Sequence, residues 1–358
     1  MKAVLMLEDG KSFIGESETL QKERVGEVIM NTAVVGYQEM MTDPANINKI
    51  LVLTYPLIGN YGCAAKFNES EKVWPAGLVI KESSRIFSNW QAKESLGAFV
   101  KRNGLFFMHS VDTRTLAVHL RQKGSMMGVI STESFDRKEL LSKVAAFDKD
   151  QSLSLIDRVS TQKVVHSGRS TGKRVAILDL GVTRSIVRQM ESLGCALKLL
   201  PYGTSGDEIL RLKTRGLILS SGPEDIPGLE RVAGNIKPLV GKLPILGIAS
   251  GNLALAMALG AKINKLKIGH RGVNYPIQSP SSFRGEITTQ NHVYVLDHDS
   301  LLKIKGLKIS SYNLNDRTVE GIESKALKII GVQYMPVSLG FNEPNGVFIK
   351  FMKMLGRD

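Results

Sequence analysis

The chain has 358 residues, 43% hydrophobic and 23% charged, which is enough apolar material for two packed cores and too balanced for disorder. Lys and Arg outnumber Asp and Glu by 47 to 34, a net charge of +13, but the excess is scattered through stretches such as "KLKIGHR" and "LLKIKGLKIS" without interleaved aromatics, so a solvated surface is expected and no nucleic-acid interface. No run of 18 apolar residues offers a membrane span, acidic residues interrupt the N-terminus before a signal-peptide core forms, and Cys63 and Cys195 stand alone; the expectation is a cytoplasmic protein with no disulfide, metal site or membrane contact.

In chain order, "AVLMLEDGKSFIG" reads as a hairpin turning at Asp9-Gly10. "TRTLAVHLRQKG" reads as a helix with Leu116 and Leu120 on one face, stopping at Gly124. Residues 1–150 form a first domain of mixed strands and helices, and 151–172 turn polar and irregular, as a linker would. From 173 to 358 the pattern alternates: strand "RVAILDLG", helix "TRSIVRQMESLG" closed by Gly194, strands "CALKLLP", "GLILSSGPED" and "LPILGI", then helix "NLALAMALGA". Alternation of this kind predicts an α/β domain with a largely parallel sheet covered by helices. The loops beginning at Gly181, Ser220 and Ala249 should then converge at the carboxyl ends of their strands.

The segment "PILGIASGNLALAMALGAK" has the outline of a nucleophile elbow, a strand, tight turn and helix with Gly247 and Gly251 two residues on either side of Ala249. The position that would carry the nucleophile holds a methyl group. Ser250 should point elsewhere in so tight a turn, positioning backbone or capping the helix. The glycines of 247–251 match neither a dinucleotide fingerprint nor a phosphate loop, so no nucleotide site is expected in this chain.

At these residues the sequence resembles the small chain of carbamoyl phosphate synthetase, a class I glutamine amidotransferase domain preceded by a family-specific N-terminal domain. The likeness runs through "LEDGKSFIGE", "GYQEMMTDP", "LTYPLIGNYG" and "DTRTLAVHLRQKG" in the first domain. In the second it runs through "SSGPEDIP", "PILGIASGN", "GHRGVNYP", "TTQNHVYVLD" and "VQYMPVSLG". The resemblance implies glutamine hydrolysis by a Cys-His-Glu triad and delivery of ammonia to a large chain, which would bind the ATP; no cofactor is expected in the small chain. It also implies a heterodimer serving arginine or pyrimidine biosynthesis.

The site residues depart from that pattern. Where the family reads G-I-C-L-G-H-Q, this chain has Ala249 for the cysteine and Leu253 for the glutamine; where the family reads Q-G-H-P-E, it has Met335 for the histidine and Val337 for the glutamate. The loop read G-P-G-D-P in the family has Gly222 and, in place of its second glycine, Glu224. A serine after Asp-Pro becomes Ala45, and of N-H-G-F only Asn291 and His292 remain, followed by Val293 and Tyr294. The turn "GIASGNL" is closer to the ammonia-using branch, which reads G-I-S-T-G-N-L and also lacks the cysteine. His270, His292 and His298 are candidates for a substitute base, but none has a nucleophile near it in the expected fold, and polar-loop or packing roles suit them better. The expected role is a non-hydrolytic structural or regulatory partner of a large chain using ammonia. The alternatives are a repurposed small-ligand module at the old pocket, or a hydrolase working through an unrecognised nucleophile such as Ser250.

Overall fold

The structure is a computed structural model describing residues 1–147, 154–338 and 343–356, and the chain divides into two compact units, Met1–Ser152 and Leu153–Asp358. In the first unit, β1 (Lys2–Leu7) and β2 (Ser12–Ser17) form the expected hairpin. Gly10 takes φ +83°, open to glycine at little steric cost, and its N–H donates to the Leu7 carbonyl at 2.8 Å. After β3 (Glu23–Asn31) come α1 (Tyr37–Thr42), β4 (Lys49–Leu53), β5 (Leu57–Ile58), β6 (Gly77–Val79) and β7 (Glu82–Ser83). Then follow α2 (Leu96–Arg102), β8 (Phe106–His109), α3 (Thr113–Lys123), β9 (Met126–Ser131) and α4 (Arg137–Phe147).

Seven of these strands close into a barrel in the order β1-β2-β8-β6-β4-β3-β9. Side chains alternate across each strand: Ala3, Leu5 and Leu7 of β1 pack with Phe106, Leu116 and Leu120, whereas Val4 and Met6 pack under α4 with Leu140 and Val144. The parallel strand β4 is apolar along most of its length because it is buried on both faces. Asp112 caps α3 by accepting from the Thr115 N–H at 3.0 Å, and the helix stops at Gly124, φ +100°.

The second unit begins with α5 (Leu155–Val159), β10 (Val165–Gly168), β11 (Lys173–Asp179), α6 (Arg184–Ser192), β12 (Cys195–Pro201), α7 (Gly206–Arg211) and β13 (Gly216–Leu219). It continues with α8 (Ile226–Ile236), β14 (Ile245–Ile248), α9 (Ser250–Ala258), β15 (Ile263–Gln278), β16 (Gly285–Leu296), α10 (His298–Leu302), β17 (Lys308–Asn313), β18 (Val319–Ser324), β19 (Ile329–Val332) and α11 (Gly346–Met354). The expected linker, 151–172, is corrected here. Residues 151–153 lie outside the described residues, but α5 and β10 follow, and β10 pairs antiparallel with β12, so its polarity reflects an exposed edge strand.

The strands form one ten-stranded sheet, β10-β12-β11-β13-β14-β19-β18-β16-β15-β17. Its middle is parallel, β12 through β19, because helical crossovers link most of those strands. From β18 outward the sheet is antiparallel, which the "largely parallel" expectation missed; β15 and β16 follow each other as a long hairpin. Helices cover both faces of the parallel part. Ala176 and Leu178 of β11 pack into the cluster that holds α8 and α9, while Val175 and Ile177 pack into the one that holds α6 and α11.

Candidate functional site

The three loops predicted to converge do so, because β11, β13 and β14 are parallel neighbours. The Leu180 N–H donates to Ser220 Oγ at 2.9 Å, and Ser250 Oγ donates to the Gly222 carbonyl. A Cβ on Gly222 would stand 1.8 Å from the Leu180 carbonyl oxygen, and one on Gly251 would stand 2.2 Å from that of Leu219. Glycine at both places lets the loops lie this close. Asp179, at the end of β11, accepts from the N–H groups of Gly181 and Val182 at 2.9 and 2.7 Å; burial pushes its carboxyl up from the usual range, and these bonds oppose the push.

Ala249 connects β14 to α9 with φ +51° and ψ −112°, a sparsely populated conformation for a residue with a Cβ. Its N–H donates to the Val332 carbonyl at 2.8 Å, and its own carbonyl accepts from Asn252 and Leu253 at 2.9 and 3.1 Å. The elbow is therefore built in full around a methyl group. Ser250 does not cap the helix, as one expectation had it: α9 has no side-chain cap, and the hydroxyl is used to hold Gly222. That bond meets the alternative expectation, backbone positioning.

The three residues expected at the triad positions, Ala249, Met335 and Val337, carry no ionisable side chain. Met335 is partly buried in the apolar cluster that also contains Ala249, Ile248 and Tyr334. Its N–H donates to the Thr289 carbonyl at 2.9 Å. Val337 is 42% exposed. Leu253 is fully buried in a different cluster from Met335, with Leu219 and Leu296. Ala45 sits buried in a short 3-10 turn of the first unit, where the Asp43 carboxylate accepts from its N–H at 2.9 Å. Asn291 lies on β16 opposite Arg271.

Glu224 has a definite job. Its two carboxylate oxygens accept from consecutive backbone N–H groups, Oε2 from Val293 at 2.7 Å and Oε1 from Tyr294 at 2.9 Å. A carboxylate held by two amides is the kind of contact an amino-acid ligand's own carboxylate would make, and here the chain supplies it to itself.

Two of the three candidate histidines are not loop residues. His270 on β15 and His292 on β16 are buried and face Glu320 of β18, with Nδ1 of His270 at 3.5 Å and Nε2 of His292 at 3.6 Å from Glu320 Oε1. His298 is half-exposed at the start of α10. Sequence reasoning missed Glu320, together with Gln290 and Asn313 beside it; the available signal was a carboxylate set between Val319 and Ile322 in a strand otherwise nearly all buried.

Comparison with known proteins shows the family. The family described as carbamoyl-phosphate synthase small chain, CPSase domain, matches residues 5–130, and glutamine amidotransferase class-I matches 176–354. The carbamoyl phosphate synthase small chain of Listeria monocytogenes serovar 1/2a is 38% identical over 359 residues, covering 99% of this chain and 97% of that protein. The carbamoyl phosphate synthase pyrimidine-specific small chain of Halalkalibacterium halodurans is 37% identical over 358 residues, covering 99% and 97%. Among solved structures, a glutamine amidotransferase from Thermotoga maritima aligns with TM-score 0.35 and 18% identity over 51% of this chain and 79% of that one.

Proposed function

The chain belongs to the carbamoyl phosphate synthase small-chain family, and from that premise we propose that it is a non-hydrolysing partner of a carbamoyl phosphate synthase large chain. The observation that carries the reading is the pairing of a full-length family match with Ala249, Met335 and Val337 at the positions of nucleophile, base and orienting carboxylate. A methyl group cannot attack a carboxamide, a thioether cannot take a proton at neutral pH, and an isopropyl group cannot orient a base. In a model hydrolase the loss of the nucleophile alone costs about a millionfold, nearly as much as loss of the whole triad.

In this reading ammonia is the nitrogen donor, ATP is bound by the large chain, and this chain binds that partner and tunes its use of ammonia in arginine or pyrimidine biosynthesis. Glu224 supports the loss of glutamine binding: its carboxylate already holds the Val293 and Tyr294 N–H groups. Ser250 is a poor substitute nucleophile because its hydroxyl donates to the Gly222 carbonyl, with no imidazole in that contact to accept its proton.

The test is carbamoyl phosphate formation by the cognate large chain with and without this chain, using glutamine or ammonium chloride. The expected result is no turnover with glutamine and a changed rate or apparent ammonia affinity when this chain is added. Glutamine-dependent turnover that requires this chain would overturn the reading, and its persistence in Ser250→Ala would rule out that hydroxyl as the nucleophile.

A further inference from the structure

The buried cluster on β15, β16 and β18 has a charge requirement that can be worked out nitrogen by nitrogen. His292 is 1% exposed; its Nδ1 lies 3.1 Å from the Tyr294 carbonyl oxygen, and its Nε2 lies 3.2 Å from Gln290 Oε1 and 3.6 Å from Glu320 Oε1. Both nitrogens therefore face acceptors. A neutral imidazole has one N–H, so it can satisfy the Tyr294 carbonyl and must then aim a lone pair at two oxygens. The Gln290 amide points that way because its NH₂ donates to Thr288 Oγ1 at 3.1 Å. A cation between His292 and Glu320 resolves the conflict.

His270 faces the same carboxylate from β15. Its outer nitrogen, Nε2, is 2.9 Å from Asp316 Oδ2, and its inner nitrogen, Nδ1, faces Glu320. Each histidine thus gives its outward N–H to an oxygen and turns its inward nitrogen toward one carboxylate, which is how metal-binding histidines are oriented by their neighbours. Glu320 is fully buried, and its second oxygen, Oε2, has no hydrogen-bond partner.

Distance separates a metal ion from a proton. An imidazolium paired with a carboxylate closes to about 2.7–2.9 Å. Nitrogen and oxygen ligands at tetrahedral angles around an ion 2.0–2.1 Å away stand about 3.3 Å apart, nearer to the 3.5 and 3.6 Å found here. We propose that His270 Nδ1, His292 Nε2 and the Glu320 carboxylate bind one divalent transition-metal ion of the zinc class, with a further position for water. Two nitrogens and a carboxylate suit such a borderline-soft ion better than calcium or magnesium, which prefer oxygen ligands. Glu320 and Asp316 together balance its two charges. Asn313, itself fully buried, sets its Nδ2 3.4 Å from His270 Nδ1 and 3.2 Å from Glu320 Oε1, and is the donor the ion would displace. The bound ion ties three strands of the antiparallel half of the sheet together.

The experiment uses the full chain, stripped with chelator and dialysed, titrated calorimetrically with zinc chloride and, separately, followed by absorption with cobalt(II). One equivalent of zinc and the ligand-field bands of low-coordinate cobalt are expected, both lost in His292→Gln and Glu320→Gln. Because either variant could fail to fold, Asp316→Asn, at the half-exposed edge of the cluster, provides a second arm: about a 10-fold or greater weakening of zinc affinity is expected, with circular dichroism unchanged. No zinc uptake by the wild-type chain, a cobalt spectrum identical to that of the aqueous ion, or equal affinity in folded variants would each overturn the proposal. The first two results would assign the cluster to a buried proton-held ion pair.

Discussion

The elbow at Ala249 and the cluster at Glu320 belong to one sheet, and they treat polar chemistry in opposite ways. At the elbow the backbone makes a strand, a tight turn at positive φ and a helix, but its side chains are apolar: Ala249 and Met335 lie in a hydrophobic cluster. At the cluster the polar set is intact, with His270, His292, Gln290, Asn313 and Glu320 in mutual contact. A nucleophile can be removed from an elbow without exposing or stranding any neighbour, since neighbouring glycines and strand ends dictate the turn. A buried carboxylate among imidazoles cannot be removed singly, because each partner left behind is a desolvated polar group.

This contrast predicts its largest effect at Glu320. Histidine neighbours hold its carboxyl down, to about 2, against the burial that would raise it. Glu320→Gln in metal-free protein should lower unfolding free energy by about 3–5 kcal/mol, read from urea denaturation, because its buried polar neighbours lose the carboxylate they face. A loss within the scatter of surface substitutions would mean that the polar set is no more interdependent than the elbow. The next effect belongs to the elbow's frame. Gly251→Ala places a methyl group 2.2 Å from the Leu219 carbonyl oxygen and 2.7 Å from that of Ser220, both backbone atoms of the neighbouring strand end. A cost of about 3 kcal/mol is expected from this overpacking. A normal melting temperature in that variant would show that the elbow is not set by the closeness of its strands.

The elbow was legible because it is local: glycines at fixed spacing, an apolar strand before and a small-residue helix after. The alternation of β11 through α9 was legible for the same reason, as was the hairpin at Gly10. The antiparallel half was not, because β15 and β16 show no clean period-2 pattern; their register shifts between Lys265 and His270 and again between Gly272 and Tyr275, so faces exchange along the strand. The Glu320 cluster depends on β15, β16 and β18 coming together, which no spacing in the sequence announces. Glu224 stands out in the sequence only as a replacement for a glycine of the family pattern, and its amide partners at 293 and 294 are visible only once β16 is placed.

A third test sharpens what partners do for a buried carboxylate. In the first unit Glu39 has its Oε2 buried without a hydrogen-bond partner, and burial pushes its carboxyl up to about 7, the reverse of Glu320. For an acid whose folded value lies above its unfolded one, the protonated form is favoured by folding. That contribution is full below about 4.5, declines as pH rises, and is gone above about 7. Glu39→Gln should remove this dependence, so that melting curves of variant and wild type diverge with rising pH, by about 2 kcal/mol near pH 8 after discounting for solvent access. Parallel curves from pH 4.5 to 8 would place Glu39 in water.

The smallest effect comes from the elbow's own residue. Ala249 holds φ +51° although its side chain is a methyl group, and a non-glycine residue in that conformation carries strain of order 1–3 kcal/mol. Glycine reaches that conformation freely but loses about 0.5–1 kcal/mol through the greater freedom of the unfolded chain. Relief should exceed loss, and Ala249→Gly should be more stable by about 1 kcal/mol, seen as a rise in urea midpoint at unchanged slope. The methyl group is buried in the apolar cluster that also holds Tyr334 and Met335, and that packing works the other way. If Ala249→Gly proves less stable, that packing outweighs the strain, and the alanine is better understood as core than as the remnant of a site.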